Sequence, residues 1–289
     1  MLDTIDIDAL PLSQAILLFL ADPLILICIA ICLLMLLHLR RNPPDWQAMA
    51  GKLNSRPWSV TESETMIMAV IIFILAGRAV ISALYQFGII QEDRIEWLLV
   101  VAQTVLFHFP VLAMILVILI RSKSITTGIL GYQPHFILTA FRRGILYCFA
   151  ALPIVGLASL IQSHFLTEAG FVNEPQYVVE LFNSPGSPWF KIYLAFVTIV
   201  TAPIAEEFIF RGAGITALAG RIGTKWAVLL VSLAFAMIHF NLYSFLPLFT
   251  IAVAFSLAYI YSGSLLVAVF MHSVFNALNI AALLLVGPE

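Results

Sequence analysis

The sequence predicts an all-α, polytopic membrane protein with about eight transmembrane helices. Of its 289 residues, 62% are hydrophobic and only 10% are charged, whereas about a quarter of the residues in an average soluble domain are charged. Apolar runs of about 20 residues, the length that crosses the hydrocarbon core as a helix, recur along the chain. A soluble fold could not cover this much apolar surface.

Eight segments have the composition expected of a membrane span. They run approximately over Ala15–Leu39, Thr65–Phe87, Trp97–Ile120, Phe141–Ile161, Trp189–Ile204, Trp226–Phe240, Phe245–Tyr261 and Ser264–Val286. The fifth continues into an acidic motif. We divide the chain into residues 1–188, with N-terminal helices and interfacial loops, and residues 189–289, where the polar motifs gather.

The basic residues predict an orientation, because Lys and Arg concentrate in cytoplasmic loops. Most of the 14 Lys and Arg residues follow the first, third and fifth spans: Arg40, Arg41, Lys52, Arg56, Arg121, Lys123, Arg142, Arg143, Arg211, Arg221 and Lys225. We therefore expect a multi-pass protein of the cell membrane with both termini outside. The Glu206 end of span five is predicted at the cytoplasmic side.

Composition also limits the partners. The formal net charge is −2, so the chain lacks the basic surplus of a nucleic-acid-binding protein. Cys28, Cys32 and Cys148 lie within apolar runs, where they are interpreted as buried small side chains.

The most informative motif reads EEFIFRG, from Glu206 to Gly212. Each ionisable side chain at the bilayer centre costs about 2.5–3.5 kcal/mol, so such residues are usually paired and functional. Glu207 and Arg211 are four residues apart and share a helix face, which predicts an ion pair that supports the site. Glu206 points about 100° away and stays free to face a cavity.

Two later spans each carry a further polar face. Phe235 and His239 are four residues apart on span six, and His272 and Asn276 are four apart on span eight. A carboxylate with an imidazole can hold and deprotonate a water molecule, and an imidazole with a carboxamide can donate hydrogen bonds to an oxyanion. Together with Glu206, these residues are sufficient for amide hydrolysis without a serine or cysteine nucleophile.

Three motifs in this order, EExxxRG, FxxxH and HxxxN, resemble the CAAX protease and bacteriocin-processing family, including the type II CAAX prenyl endopeptidases. The resemblance covers roughly Phe190–Leu284. It implies a glutamate-type intramembrane endopeptidase in which Glu206 and His239 activate water while His272 and Asn276 stabilise the oxyanion. It further implies a cavity open to the cytoplasm and a membrane-associated protein or peptide as substrate, with CAAX-type processing one option. No cofactor and no metal are expected.

Other functions stay open at this point. Glu, His and His is also a zinc-ligand set, although the sequence has no HExxH motif and the asparagine suits an oxyanion hole better. A non-catalytic scaffold of immunity type would more simply have lost one of the site residues. A proton-coupled transporter would more typically show inverted repeats, and we find none.

Overall fold

A computed structural model describes residues 11–43, 60–89, 98, 101–102, 104–121, 136–172, 175–184 and 187–286. These residues are 89% helical and contain no strand. The predicted all-α membrane fold is confirmed.

The described elements form ten labelled helices. They are α1 (Leu12–Ala21), α2 (Pro23–Arg41), α3 (Val60–Gln86), α4 (Phe109–Arg121, preceded by a π-helical turn at Thr104–His108), α5 (Phe136–Glu168), α6 (Tyr177–Asn183), α7 (Pro188–Ile222), α8 (Thr224–Met237), α9 (Phe245–Ser262) and α10 (Leu265–Val286).

Within the described residues, six helices are long and apolar enough to cross a membrane: α2, α3, α5, α7, α9 and α10. They correspond to the first, second, fourth, fifth, seventh and eighth predicted spans. The third and sixth predicted spans coincide with the shorter apolar helices Thr104–Val117 and Thr224–Met237. Part of the third, residues 97, 99–100 and 103, lies outside the described residues.

The first predicted span is wrong as a single helix, because it breaks at Asp22-Pro23. The Asp22 carboxylate accepts hydrogen bonds from the backbone N–H groups of Leu24 at 2.8 Å and Ile25 at 3.1 Å. Pro23 follows at the first helical position, where its missing N–H costs nothing. A capping carboxylate before a proline starts a new helix, so the segment forms α1 and α2.

Helix α7 is longer than the predicted fifth span and runs without interruption from Pro188 to Ile222. Glu206 therefore lies in mid-helix, and at 1.5 Å per residue it is ~24 Å from the Ile222 end. Arg211, which the charge count assigned to the segment after the span, is fully buried inside the helix. The prediction that Glu206 lies at the end of span five is therefore wrong, because the helix continues to Ile222.

One ion pair bears on the predicted alternation of loops. Arg221, near the end of α7, forms an ion pair of 2.8 Å with Glu64, near the start of α3. These two ends therefore lie together, as expected if the loops after spans one and five share a membrane side.

The site is enclosed by α7, α8, α9 and α10, and α5 supports the latter two from outside. Close packing of α5 on α10 depends on Gly144. A Cβ atom there would come within 2.8 Å of both the Met271 backbone nitrogen and the Phe270 Cβ. Only glycine allows the two helices to approach this closely, which fixes the part of α10 that carries His272.

Candidate active site

The acidic motif lies between two π-helical segments of α7. Val197–Thr201 and Phe208–Ile215 are π-helical, and the α-helical turn Ala202–Glu207 lies between them. Each π-helical turn inserts a residue into the regular helix and is frequent at functional sites. The two segments therefore set the directions in which Glu206 and Glu207 point.

Glu207 is the centre of a buried charged cluster. Its Oε1 atom lies 2.9 Å from Arg211 Nη1 and 2.8 Å from His272 Nδ1. The Glu207 and Arg211 side chains have no exposed surface, and the His272 side chain is 5% exposed. The geometry contains the predicted Glu207–Arg211 pair and adds the histidine of α10 as a second partner of the same oxygen.

Arg211 is held by α9 as well. Its Nη2 donates to the backbone carbonyl of Ala252 at 2.8 Å and its Nε donates to Ser256 Oγ at 3.3 Å. The guanidinium carbon also lies 4.9 Å from the ring centre of Phe235 and 5.3 Å from that of Phe255. Hydrogen bonds, a carboxylate and aromatic faces together compensate for burying this cation.

Glu206 differs from its neighbour in its surroundings. Its side chain is 14% exposed, and its Oε2 atom lies 3.9 Å from His272 Nε2. The two nitrogen atoms of His272 thus face different glutamates: Nδ1 contacts Glu207 and Nε2 points toward Glu206. As predicted from their 100° separation, the adjacent carboxylates have different environments.

His239 reaches this cluster through aromatic rings. It is half-buried just beyond the end of α8, where its Nδ1 lies 2.7 Å from the Phe235 backbone carbonyl. The Phe235 ring centre is 4.9 Å from that of His239 and 5.7 Å from that of His272. Phe235 therefore packs against both histidines of the predicted site.

Asn276 lies one turn after His272 on α10. Its Nδ2 donates to the backbone carbonyl of Thr198 at 2.8 Å, within the first π-helical segment of α7. Within the described part of the chain, neither His239 nor Asn276 hydrogen-bonds to Glu206. The structure brings His272 into contact with Glu207 and within 3.9 Å of Glu206, while His239 and Asn276 lie at the borders of the cluster.

The hydrogen-bond partners determine what each imidazole can do. A carbonyl or carboxylate oxygen accepts only, so the Nδ1 atoms of His239 and His272 must carry protons. In a neutral ring the remaining Nε2 is then an acceptor, and it becomes a donor only in the imidazolium form. The separation of 3.9 Å between His272 Nε2 and Glu206 Oε2 is short enough for one water molecule to donate to both.

Sequence reasoning missed several residues that complete this arrangement. Phe255 stacks on His272 with ring centres 4.6 Å apart and an interplanar angle of 22°, but a phenylalanine in an apolar run gives no signal. Ser256 is a polar residue inside span seven, and this position could have indicated a buried hydrogen-bond partner. The carbonyl groups of Ala252 and Thr198 are invisible to side-chain reasoning.

The fold and site define a class: a helical membrane protein with a buried, paired charge cluster beside a partly accessible carboxylate. Residues 188–278 match the family model described as type II CAAX prenyl endopeptidase Rce1-like. No curated protein and no solved structure matches the chain. The match covers about a third of the chain and contains every predicted site residue.

The family predicted from the motifs is thereby confirmed over this segment. The matching family is one of CAAX-type proteases, and the match supports a hydrolase that acts on a membrane-associated protein or peptide.

Proposed function

We propose that the protein is a glutamate-type intramembrane endopeptidase in which Glu206 activates the attacking water. It hydrolyses a peptide bond of a membrane-associated protein or peptide. The family match to residues 188–278 supports the protease class, and the different surroundings of the two glutamates support the assignment of Glu206.

The observation that carries the proposal is this division between neighbours. Glu207 is fully buried and binds Arg211 and His272 through one oxygen. Glu206 is partly accessible, and its Oε2 lies across a gap of 3.9 Å from His272 Nε2. A water molecule that bridges these two atoms contacts the Glu206 carboxylate, which can take its proton and so act as a general base.

The other residues fit around this step. His239, with its Nδ1 proton bound to the Phe235 carbonyl, offers Nε2 as a second acceptor for the water. Asn276 uses one of its two amide N–H groups on Thr198 and keeps the other for the oxyanion. Glu207 and Arg211 orient His272.

The proposed roles of His272 use two forms of its ring. The neutral ring accepts from the water through Nε2, and only the imidazolium form donates from Nε2 to the oxyanion.

We place the protein in the cell membrane with the Arg221 end of α7 in the cytoplasm and both termini outside. The predicted cytoplasmic access to the site then requires an opening between helices that reaches ~24 Å from that end. Phe240 follows His239 and is 91% exposed. A label at this position therefore shows which side of the membrane the end of α8 faces. In a variant without the native cysteines, the predicted orientation places a Phe240→Cys thiol outside, where a membrane-impermeant maleimide labels it in whole cells.

Cleavage by the purified protein tests the function. The substrate can be found by comparing membrane peptides from cells that contain either the unmutated protein or Glu206→Gln. The purified protein in detergent should then cleave that peptide, and Glu206→Gln, which keeps the side-chain shape, should not. Full activity of Glu206→Gln would refute the proposal.

A chelator separates this mechanism from the zinc alternative. Activity that persists after treatment and dialysis supports a water molecule activated by Glu206 without a metal. Loss of activity, with recovery on adding zinc, would favour the metal-dependent mechanism.

A further inference from the structure

His239 depends on a loop for its position. Helix α8 ends at Met237, and His239 lies in the turn that follows. The next residue, Phe240, has a φ angle of +49° and is the only non-glycine residue with positive φ in the described chain. Such a backbone conformation costs of order 1–3 kcal/mol and persists only where the surroundings impose it.

A side chain from α5 holds this loop. Gln162 donates through Nε2 to the backbone carbonyl of Leu242 at 2.6 Å, and its Oε1 accepts from the backbone N–H of Leu246 at 2.6 Å. One amide thus joins the loop to the first turn of α9. The Leu246 N–H belongs to the first turn of that helix, where donors have no partner within the helix.

A second contact secures the loop beside the first. The Tyr243 hydroxyl donates to the Phe171 carbonyl at 2.7 Å, just beyond the end of α5. Both tethers come from the segment before residue 188, which the family match does not cover. The N-terminal part of the chain therefore fixes the loop that follows His239.

We propose that Gln162 is a positioning residue for the reaction: its two hydrogen bonds hold the Phe240–Leu246 loop and thereby fix His239 against Phe235 and the cluster. This inference rests on the proposed function for its catalytic consequence. A small displacement of a reacting group can cost about 100-fold in rate, so the bonds of Gln162 matter more for turnover than for stability.

The test uses the full chain in detergent. Gln162→Met keeps the side-chain length and removes both hydrogen bonds, while Gln86→Met changes an exposed glutamine at the end of α3 as a control. We expect Gln162→Met to lower kcat by about 10- to 100-fold with KM little changed, and Gln86→Met to leave both unchanged. In a His239→Ala background, Gln162→Met should lower the residual rate no further.

Hydrogen exchange tests the structural half without any substrate. In Gln162→Met, the backbone amides of residues 240–246 should exchange faster, and those of α10 should not. This readout remains valid even if the protein cleaves nothing, so failure of the proposed function is distinguishable from failure of this inference.

A second variant keeps the test decisive if Gln162→Met does not fold. Gln162→Glu retains an acceptor for Leu246 and loses the donor to Leu242, so its kcat should fall between those of the unmutated protein and Gln162→Met. Unchanged exchange in the loop would overturn the proposal. An unchanged kcat in both Gln162 variants would overturn it as well. So would a fall in rate that Gln162→Met causes equally with His239 present and in the His239→Ala background.

Discussion

Replacing Arg211 by methionine tests whether the charged cluster stabilises the fold through burial. The change removes the 2.9 Å ion pair with Glu207 and the hydrogen bonds to Ala252 and Ser256. It leaves the fully buried Glu207 carboxylate with His272 as its partner. Removing one member of a buried pair costs about 3–5 kcal/mol, so we expect the free energy of unfolding to fall by that amount.

Arg221→Met is the matched control on the same helix. Its ion pair with Glu64 has a similar length, 2.8 Å, but the two side chains are 60% and 40% exposed. Exposed pairs contribute about 0–1 kcal/mol. Since the two arginine pairs differ in burial more than in distance, the difference between the two variants measures the effect of burial.

The assay is denaturant-induced or thermal unfolding of the purified variants in the same detergent. A third variant, Glu207→Gln with Arg211→Met, removes both charges and should recover part of the loss, because no uncompensated carboxylate remains. The reasoning would be refuted if Arg211→Met were no less stable than Arg221→Met.

Three further predictions concern separate parts of the structure. Gly144→Ala should destabilise the protein by about 1–3 kcal/mol, because its Cβ would meet the Met271 backbone. Gly156→Ala should cost less, because its Cβ would meet only the movable Phe19 ring. Unfolding of both variants measures the difference, and equal losses of stability would contradict the prediction. Asn276→Ala should lower kcat by about 100- to 1,000-fold if its amide stabilises the oxyanion, as measured by peptide cleavage, and a normal kcat would remove it from that role. Asp22→Ala should cost about 0.5–2 kcal/mol through loss of the helix cap without changing kcat, and unchanged stability would show that the cap at the start of α2 contributes nothing.

Much of the arrangement of the candidate site residues is predictable because it depends on local helix geometry. Residues four apart share a face, which pairs Glu207 with Arg211, and adjacent residues differ by about 100°, which separates Glu206 from Glu207. It also placed His272 and Asn276 on one face of α10. Composition and the length of the apolar runs were sufficient for the fold class.

The rest could not be predicted, because it depends on contacts between distant parts of the chain. The π-helical segments on both sides of Glu206 have no reliable sequence signal, and α7 continues well beyond the predicted span, to Ile222. The second partner of Glu207 is 65 residues away at His272. Gln162, 80 residues before the loop that it holds, resembles any other polar residue in an apolar helix.

The break at Asp22-Pro23 shows a different limit. Both residues stand in the sequence, but hydropathy averaged over a long window does not register a two-residue break. The local capping interactions decide the structure here, because a carboxylate cap and a proline at the first helical position both favour the start of a new helix.

The central claim is that Glu206 performs chemistry while Glu207 holds the fold, and the cleavage rate of Glu206→Gln tests it most directly. The variant should lose cleavage of the identified peptide and unfold at the same denaturant concentration as the unmutated protein. A variant that still cleaves at the normal rate would contradict the account, as would one whose lost activity is explained by unfolding.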